Sequence, residues 1–512
     1  MNHPAPAPAA PALPARAEPA ALLTDFSDRL SPILVKELRQ GLRQPTFVIA
    51  FLCLQVLLCI VVFVAVVSAP VGSQAGLRVG GTVSGFFFFL LATAILVVQP
   101  LRGLGALATE IKADTLDLLL LTRLNSWRIT FGKWLALVSQ SALLVVAVFP
   151  YLILRYYLGG MQLFSELLAL VTLLIASASL TGIAVGFSAT ASLVIRGLVG
   201  LAMLIALLIL PNLLLFSLMR GMGGRGSPFA ITLSTASEIS TYAGIMLLLL
   251  FLGYYLLEMG ATQIAPPAEN RSTRKRLCGL AALGILVWLL PNDGYVLYFC
   301  WLLVVSLLTV DALTERPEFT ASVLRPFRRR LGPLRHLAGA FLLPGWASGM
   351  FFVLLLAGLT ATLCLTHVLI NPTEADEMLT FGALWFAALL LPAVVVSLFL
   401  RQAKHLFSAY VIVLIASLVV ALVFFIIGEA TDSTKAMVLL APVCPPLGIM
   451  SFGEIKRVGA EGAMLIALTT CSAYWVVLLT RSFADWARIR AMDHSLDPKP
   501  AAADLPDPAD VA

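Results

Sequence analysis

Apolar stretches of about twenty residues recur along this chain, and no other feature restricts its fold as strongly. A helix rises about 1.5 Å per residue, so roughly 20 residues cross the about 30 Å of hydrocarbon in a bilayer. Runs of that kind lie near 46–69, 82–101, 131–157, 163–189, 193–219, 240–262, 346–370, 379–400, 405–428 and 460–481. Soluble domains carry about 25% charged residues; here only 12% of 512 residues are charged and 60% are hydrophobic. The composition excludes a soluble globular protein and predicts an all-α polytopic membrane protein. A further apolar region, 277–313, is interrupted by Pro291-Asn-Asp-Gly294, a turn signal. It is long enough for a two-span hairpin with a short first arm, which brings the expected number to about twelve transmembrane helices.

Basic residues in short loops gather on the cytoplasmic side, and they orient this chain. With the N-terminus inside, 27 of the 34 Lys and Arg residues fall in cytoplasmic segments. The outside is left with Arg78, Arg155, Arg220, Arg225, Lys435, Lys456 and Arg457, together with Glu374, Asp376 and Glu377. Both termini are therefore expected in the cytoplasm, and the net charge of +6 reads as a topology signal rather than a nucleic-acid surface. The basic run Arg325-Pro-Phe-Arg-Arg-Arg330 fits anchoring to anionic lipid, worth about 1 kcal/mol per basic residue near the surface.

Residues 1–30 are expected to be a disordered tail, since their Pro/Ala-rich start lacks the apolar core of a signal peptide, and 491–512 read similarly. The cysteines Cys53, Cys59, Cys278, Cys300, Cys364, Cys444 and Cys471 sit singly in or beside apolar spans. That spacing suggests neither a disulfide framework nor a zinc site, so they read as lipid-facing or packing residues. No Gly-x-x-x-x-Gly-Lys-Ser/Thr phosphate loop occurs; Phe131-Gly-Lys-Trp134 lacks its upstream glycine and its hydroxyl residue. Neither a metallo-hydrolase nor a nucleophile-elbow signature is present. The sequence therefore supports neither an intramembrane enzyme nor a cofactor site.

Two segments stand apart from the spans. Ser31-Pro-Ile-Leu-Val-Lys-Glu-Leu-Arg-Gln-Gly-Leu-Arg43 starts with a cap residue and a proline at the first helical position. Leu30, Ile33, Leu34, Leu38 and Leu42 share one face while Lys36, Arg39 and Arg43 share another, the layout of a helix lying in the membrane interface. The second segment, Glu110-Ile-Lys-Ala-Asp-Thr-Leu-Asp-Leu-Leu-Leu-Leu-Thr-Arg-Leu-Asn125 and onward to Gly132-Lys133, is charged and amphipathic and lies between two spans. A pore-forming subunit driven by a soluble motor must present such an element to it, whereas a self-sufficient transporter needs only a turn.

These two segments resemble the N-terminal interfacial helix and the cytoplasmic loop of type-2 ABC exporter permeases. The family's acidic residue, Thr-Leu-Glu/Asp-Leu-Leu core, polar turn and Gly-Lys opening the next span correspond to Glu110, Thr115 to Leu119, Asn125 and Gly132-Lys133. The interfacial Lys-Glu pair corresponds to Lys36-Glu37. The commoner Gly-Glu-Lys-Glu-Arg-Gly entry appears here as Ala-Thr-Glu-Ile-Lys-Ala-Asp. The resemblance implies an interfacial helix at 31–45, with Lys36, Glu37, Arg39 and Arg43 as its polar signature, and a six-span permease-like domain at 46–264. It also implies an ATPase-docking surface with Leu116, Leu119, Leu120 and Leu124 as its apolar part and Glu110, Asp114, Thr115, Asp117 and Arg123 at its polar edge. The partners implied are a cytoplasmic ATPase subunit, a second permease in a homodimer or heterodimer, and membrane lipid. The location implied is the cytoplasmic (inner) membrane.

Residues 265–276 read as a cytoplasmic linker, because two prolines followed by polar and basic residues offer little apolar surface. A second six-span domain follows at 277–490. Its Pro-rich Ala441-Pro-Val-Cys-Pro-Pro446 before a last span parallels Ser227-Pro-Phe-Ala230 in the first half, as in a divergent repeat. Its loop Arg401–His405 is too short to be a second docking element.

Ionisable residues inside spans are costly and often functional; here they are Arg155, Glu166, Arg196, Glu258, His367 and Glu429. Arg155, Glu166, Arg196 and Glu429 lie close enough to span ends to snorkel. Glu258, near the cytoplasmic end of its span, is expected to pair with a basic residue of the docking region. The alternative to an ABC exporter is an ion- or proton-coupled secondary transporter, which would cluster ionisable groups near the bilayer midplane.

Overall fold

The computed structural model describes residues 32–68, 84–112, 125–158, 163–190, 197–198, 200–201, 235–266, 269–290, 294–315, 335–368, 372–400, 405–431, 440–452 and 460–495. They form helices throughout. The first unit comprises α1 (Pro32–Arg43), α2 (Pro45–Ser68), α3 (84–103), α4 (Ala108–Lys112), α5 (Ser126–Leu158), α6 (Leu163–Ser188) and α7 (Ala236–Gln263). The second comprises α8 (Ser272–Leu289), α9 (Gly294–Thr314), α10 (Arg335–Leu342), α11 (Trp346–Val368), α12 (Pro372–Phe399), α13 (Leu406–Ala430), α14 (Pro445–Met450) and α15 (Ala460–Ser495).

Ten of the described helices are long and apolar enough to cross a membrane, so the chain is an all-α multi-pass membrane protein. The expected fifth span, 193–219, lies almost wholly outside the described residues. The expected hairpin over 277–313 is present as two helices, α8 and α9, separated at 290–293. Arg274, Lys275 and Arg276 occupy the first turns of α8, which keeps that helix out of the ten.

Local chemistry accounts for the helix limits. Pro45 has no N–H to donate back into α1, so α1 ends and α2 begins there. A capping box starts α7: Glu238 N donates to Thr235 Oγ1 at 3.2 Å and Thr235 N donates to Glu238 Oε2 at 3.2 Å. Within α3, Ala94–Val98 is a π-helical turn that no sequence pattern announces. Beside it, Ser177 Oγ donates to Ile95 O at 2.8 Å and lies 2.9 Å from Ser141 Oγ. This buried polar seam ties α3, α5 and α6 together.

The tightest crossing is between α6 and α7. An added Cβ at Gly182 would lie 2.8 Å from Gly253 O, and one at Gly260 would lie 2.6 Å from Gly186 Cα. Small residues let backbones meet, and in lipid such packing replaces the absent hydrophobic drive between helices. A Gly186→Leu substitution should overpack this crossing by about 1–3 kcal/mol or more. A lowered thermal midpoint in detergent, with loss of the monodisperse species, is the expected readout; an unchanged midpoint would show that the crossing can spread.

Helix α7 also joins the two units. The largest core cluster contains Leu248, Phe251 and Tyr255 of α7 together with residues of α8, α9, α11, α12, α13 and α15, including Leu283, Trp301 and Phe352. A separate cluster around Leu58, Phe88, Leu91 and Leu144 holds α2, α3, α5 and α6. All seven cysteines are free; Cys53 and Cys59 are exposed on α2, and Cys300, Cys364, Cys444 and Cys471 are buried in packing positions.

Single cysteines test the topology. Those at Ser73, Thr373 and Ser433 should react with an impermeant thiol reagent from outside, and those at Ser31 and Ser322 should not. Ser272, first expected to be an accessible cytoplasmic position, is 6% exposed and cannot report on sidedness. Thr109, exposed on the same end of the bundle, replaces it. External labelling at Thr109→Cys would overturn the orientation.

Candidate functional site

Ionic clusters crowd one end of the bundle. The first is centred on Lys133, in the second turn of α5. Its Nζ lies 2.9 Å from Glu37 Oε1 of α1 and 2.8 Å from Glu110 Oε1 of α4. The lysine side chain is 7% exposed and its partners 21% and 16%, so water screens the trio weakly. Adjacent Gly132 permits the approach: a Cβ there would be 3.0 Å from Ile33 Cγ2 of α1. The Gly-Lys pair therefore has two tasks, one steric and one electrostatic, and both hold α1 against α5.

Arg102, near the end of α3, extends the contact. It donates to Gln99 Oε1 at 2.8 Å, Gln44 Oε1 at 3.0 Å and Gly41 O at 3.3 Å, and it also bonds Gln140 of α5. Its guanidinium sits 5.6 Å from the Phe47 ring centroid, a cation–π distance. The junction between α1 and α2 is thereby fixed to the span end that leads into α4.

The second cluster lies around residues 269–276. Arg271 pairs with Glu258 at 3.0 Å and Glu269 at 2.7 Å, and it donates to Asn125 Oδ1. Ser126 Oγ donates to Glu269 Oε2 at 3.0 Å. Arg274 reaches Glu258 at 2.6 Å and stands 5.1 Å from the Trp127 ring centroid. Next to it, Lys275 pairs with Asp311 at 2.7 Å and Glu315 at 3.2 Å, Arg276 pairs with Glu315 at 2.8 Å, and Tyr255 donates to Asp311 at 2.8 Å. Arg276 also donates to the carbonyls of Phe341 and Leu343 at 2.7 and 2.9 Å.

Several expectations change here. Residues 272–276 are not a solvated linker: they begin α8, and Arg271, Lys275 and Arg276 are buried. Burial is tolerated because Glu258, Asp311 and Glu315 neutralise them at hydrogen-bonding distance. Glu258 pairs with Arg271 and Arg274 of the expected linker rather than with a basic residue of the docking region, and only through Arg271 does it reach Asn125 at the end of the 110–125 stretch. Glu166 does not snorkel; it is fully buried. His367 lies over Gly294 at the opposite end of the bundle, and Glu429 is exposed.

Of the expected docking residues, Glu110 turns inward to Lys133. Asp114, Thr115, Leu116, Asp117, Leu119, Leu120, Arg123 and Leu124 lie outside the described residues. Both flanks of that segment are described, and both are anchored. Glu110 fixes one; Asn125, Ser126 and Trp127 fix the other. Beneath them Leu107, Ile129, Val185 and Leu257 pack together, with Ile33, Ile111 and Trp134 against them. On α1, Lys36, Arg39 and Arg43 are exposed while Ile33, Leu34 and Leu38 are half-buried, as an interfacial helix requires.

Sequence reasoning missed Arg102, Gln140, Lys275, Asp311 and Glu315 as a working set. One signal was available: Asp311 and Glu315 share a helical face four residues apart, at the end of a span adjacent to the basic run 271–276.

Burial raises the Glu315 carboxyl, but Lys275 and Arg276 outweigh that and hold it below its ordinary value of 4.5. A carboxyl depressed in the folded state stabilises the fold above its unfolded value, and that contribution is lost as pH falls through the folded value. Thermal stability should therefore fall on acidification below about pH 4.5. In Glu315→Gln the fall should be shallower, as read by melting curves across that range; identical slopes would remove Glu315 as a contributor.

The described helices and this site define an all-α multi-pass membrane protein with buried ionic clusters at one end. Searches against protein-family models, curated proteins and solved structures find no match.

Proposed function

We propose that this chain is the membrane-spanning permease subunit of a type-2 ABC exporter. A separate cytoplasmic ATPase would drive it, and it would work as a dimer with itself or with a related permease in the cytoplasmic membrane. The observation that carries this reading is the Glu37–Lys133–Glu110 trio, which joins the two segments that resemble the family. An ATPase closing beneath the 110–125 segment would push on α4 and α5 and, through Lys133, on α1. The anchored Asn125–Trp127 flank would pass the same movement through Arg271 to α7 and α8.

Position argues against the secondary-transporter alternative. Proton- or ion-coupled carriers place ionisable groups near the midplane. Here Glu258 lies within five residues of the α7 terminus at Gln263, and Asp311 within three of the α9 terminus at Thr314.

The test is co-purification with an ATPase chain encoded beside this one. Leu116→Asp with Leu119→Asp should abolish the association while the permease still inserts, because an unpaired charge in an apolar contact costs several kcal/mol and about 1.4 kcal/mol is already tenfold in affinity. Glu110→Lys is a poorer probe, since it would set two ammonium groups against each other at Lys133. Retained association at wild-type yield would show that the segment is not the dock and would favour the secondary transporter.

A further inference from the structure

We infer that the chain binds a bilayer phospholipid between its two halves, with one acyl chain inside the bundle and the headgroup in a cleft at the basic end. A groove of about 790 Å³, open on the side where Leu418 and Met450 are exposed, lies between α7 and the helices α9, α12, α13 and α14, lined by residues such as Leu252, Met259, Leu307, Val310, Phe407 and Leu414. Two polar side chains border it, Ser306 and Trp385, and both are satisfied: Trp385 Nε1 donates to Ser306 Oγ at 2.7 Å, and Ser306 Oγ donates to Leu302 O at 2.6 Å. Among the described lining residues no side chain offers a free donor or acceptor, so water gains no partners from them. An enclosed apolar cavity of about 150 Å³ already accepts benzene; this groove is about five times larger, opens to the side and suits a long chain.

Its length matches one leaflet. The lining residues of α13 run from Phe407 to Leu418, which at about 1.5 Å per residue is roughly 16 Å, about half of the ~30 Å hydrocarbon core. The cavity starts at the helix ends that carry the ionic clusters. There Met259 and Phe407 also line a second cleft, of about 410 Å³, with Arg271, Lys275, Glu269 and His405 on its walls. A hydrocarbon slot one leaflet deep, continuous with a polar cleft at its mouth, fits a lipid of the leaflet on the basic side. Both cations in the cleft are paired with carboxylates. They leave no surplus positive charge, so the chain rather than the headgroup charge is what the site selects.

The inference does not rest on an ATPase partner, and its test needs none. The full chain is reconstituted with phosphatidylethanolamine or phosphatidylglycerol bearing a photoactivatable diazirine on the acyl chain, illuminated, and mapped by peptide mass. Label is expected within 303–310 and 407–418 at least fivefold above the exposed face of α13 at Leu422 and Ile426, and equally for both headgroups. Leu414→Trp with Leu307→Trp should fill the slot and reduce that label at least fivefold, while Leu422→Trp should not. The milder Ile415→Phe, which should reduce it about twofold, keeps the test decisive if the double variant does not fold. Uniform labelling of α13 in the wild type, or undiminished label in a folded filled variant, would each overturn the site.

Discussion

Lys133→Ala should destabilise the purified protein by about 3–5 kcal/mol, the usual cost of removing one partner from a buried ion pair. The estimate sits in this range because the lysine is 7% exposed and serves two carboxylates, Glu37 and Glu110. Without the ammonium those carboxylates repel each other across the gap between α1 and α4, and one must protonate or swing out. Helix α1 would lose its polar clamp while keeping the Arg102 bonds at Gly41 and Gln44. The thermal midpoint should fall, and protease sensitivity should rise within 32–43 before elsewhere. Glu37→Gln with Lys133→Gln removes opposite charges together and should recover part of the loss, although Glu110 then loses Lys133. If Lys133→Ala melts like the wild type, water must be solvating the trio, and the mechanical link from the 110–125 segment to α1 fails with it.

A comparable effect is expected at the joint between the two halves. Lys275 is 1% exposed and lies between Asp311 and Glu315. Replacing it with methionine fits the volume but leaves Asp311 with the Tyr255 hydroxyl as its side-chain donor among the described residues, whereas Glu315 keeps Arg276. The expected loss is again about 3–5 kcal/mol. Adding Asp311→Asn should restore most of it, since the amide carbonyl still accepts from Tyr255 and no charge is left unpaired. Melting of the single and double variants forms a double-mutant cycle. Additive losses would mean that Lys275 and Asp311 do not interact. If the cycle closes as expected, the basic run 271–276 is the rivet between the units.

Much of this was readable from residue order because hydrophobic length is local information. The apolar runs, the break at 291–294 and the helix start at Pro32 need only the nearest neighbours in the chain, and the described helices follow them closely. The 31–43 and 110–133 segments were legible as two separate amphipathic elements. That they meet was not. The trio joins residues 37, 110 and 133 across three helices, and a sequence gives the types of such groups but not their separation. Similarly, Arg271 to Arg276 looked like a solvated linker because composition counts charges without their partners. Glu258, Asp311 and Glu315 lie on other helices, and only packing places them within 3.2 Å. The cavity between α7, α9, α12 and α13 is of the same kind, since a void has no residue of its own to announce it.

The sequence by itself determined that this chain is helical and membrane-embedded, because transfer of about twenty apolar residues into hydrocarbon is an energy summed along one segment. Tertiary structure alone decided which charges are buried, which glycines touch backbone and where space remains between helices. Those depend on pairwise distances between segments far apart in the chain. For this protein they are set by the α6–α7 glycine crossing and by the ionic clusters at one end of the bundle.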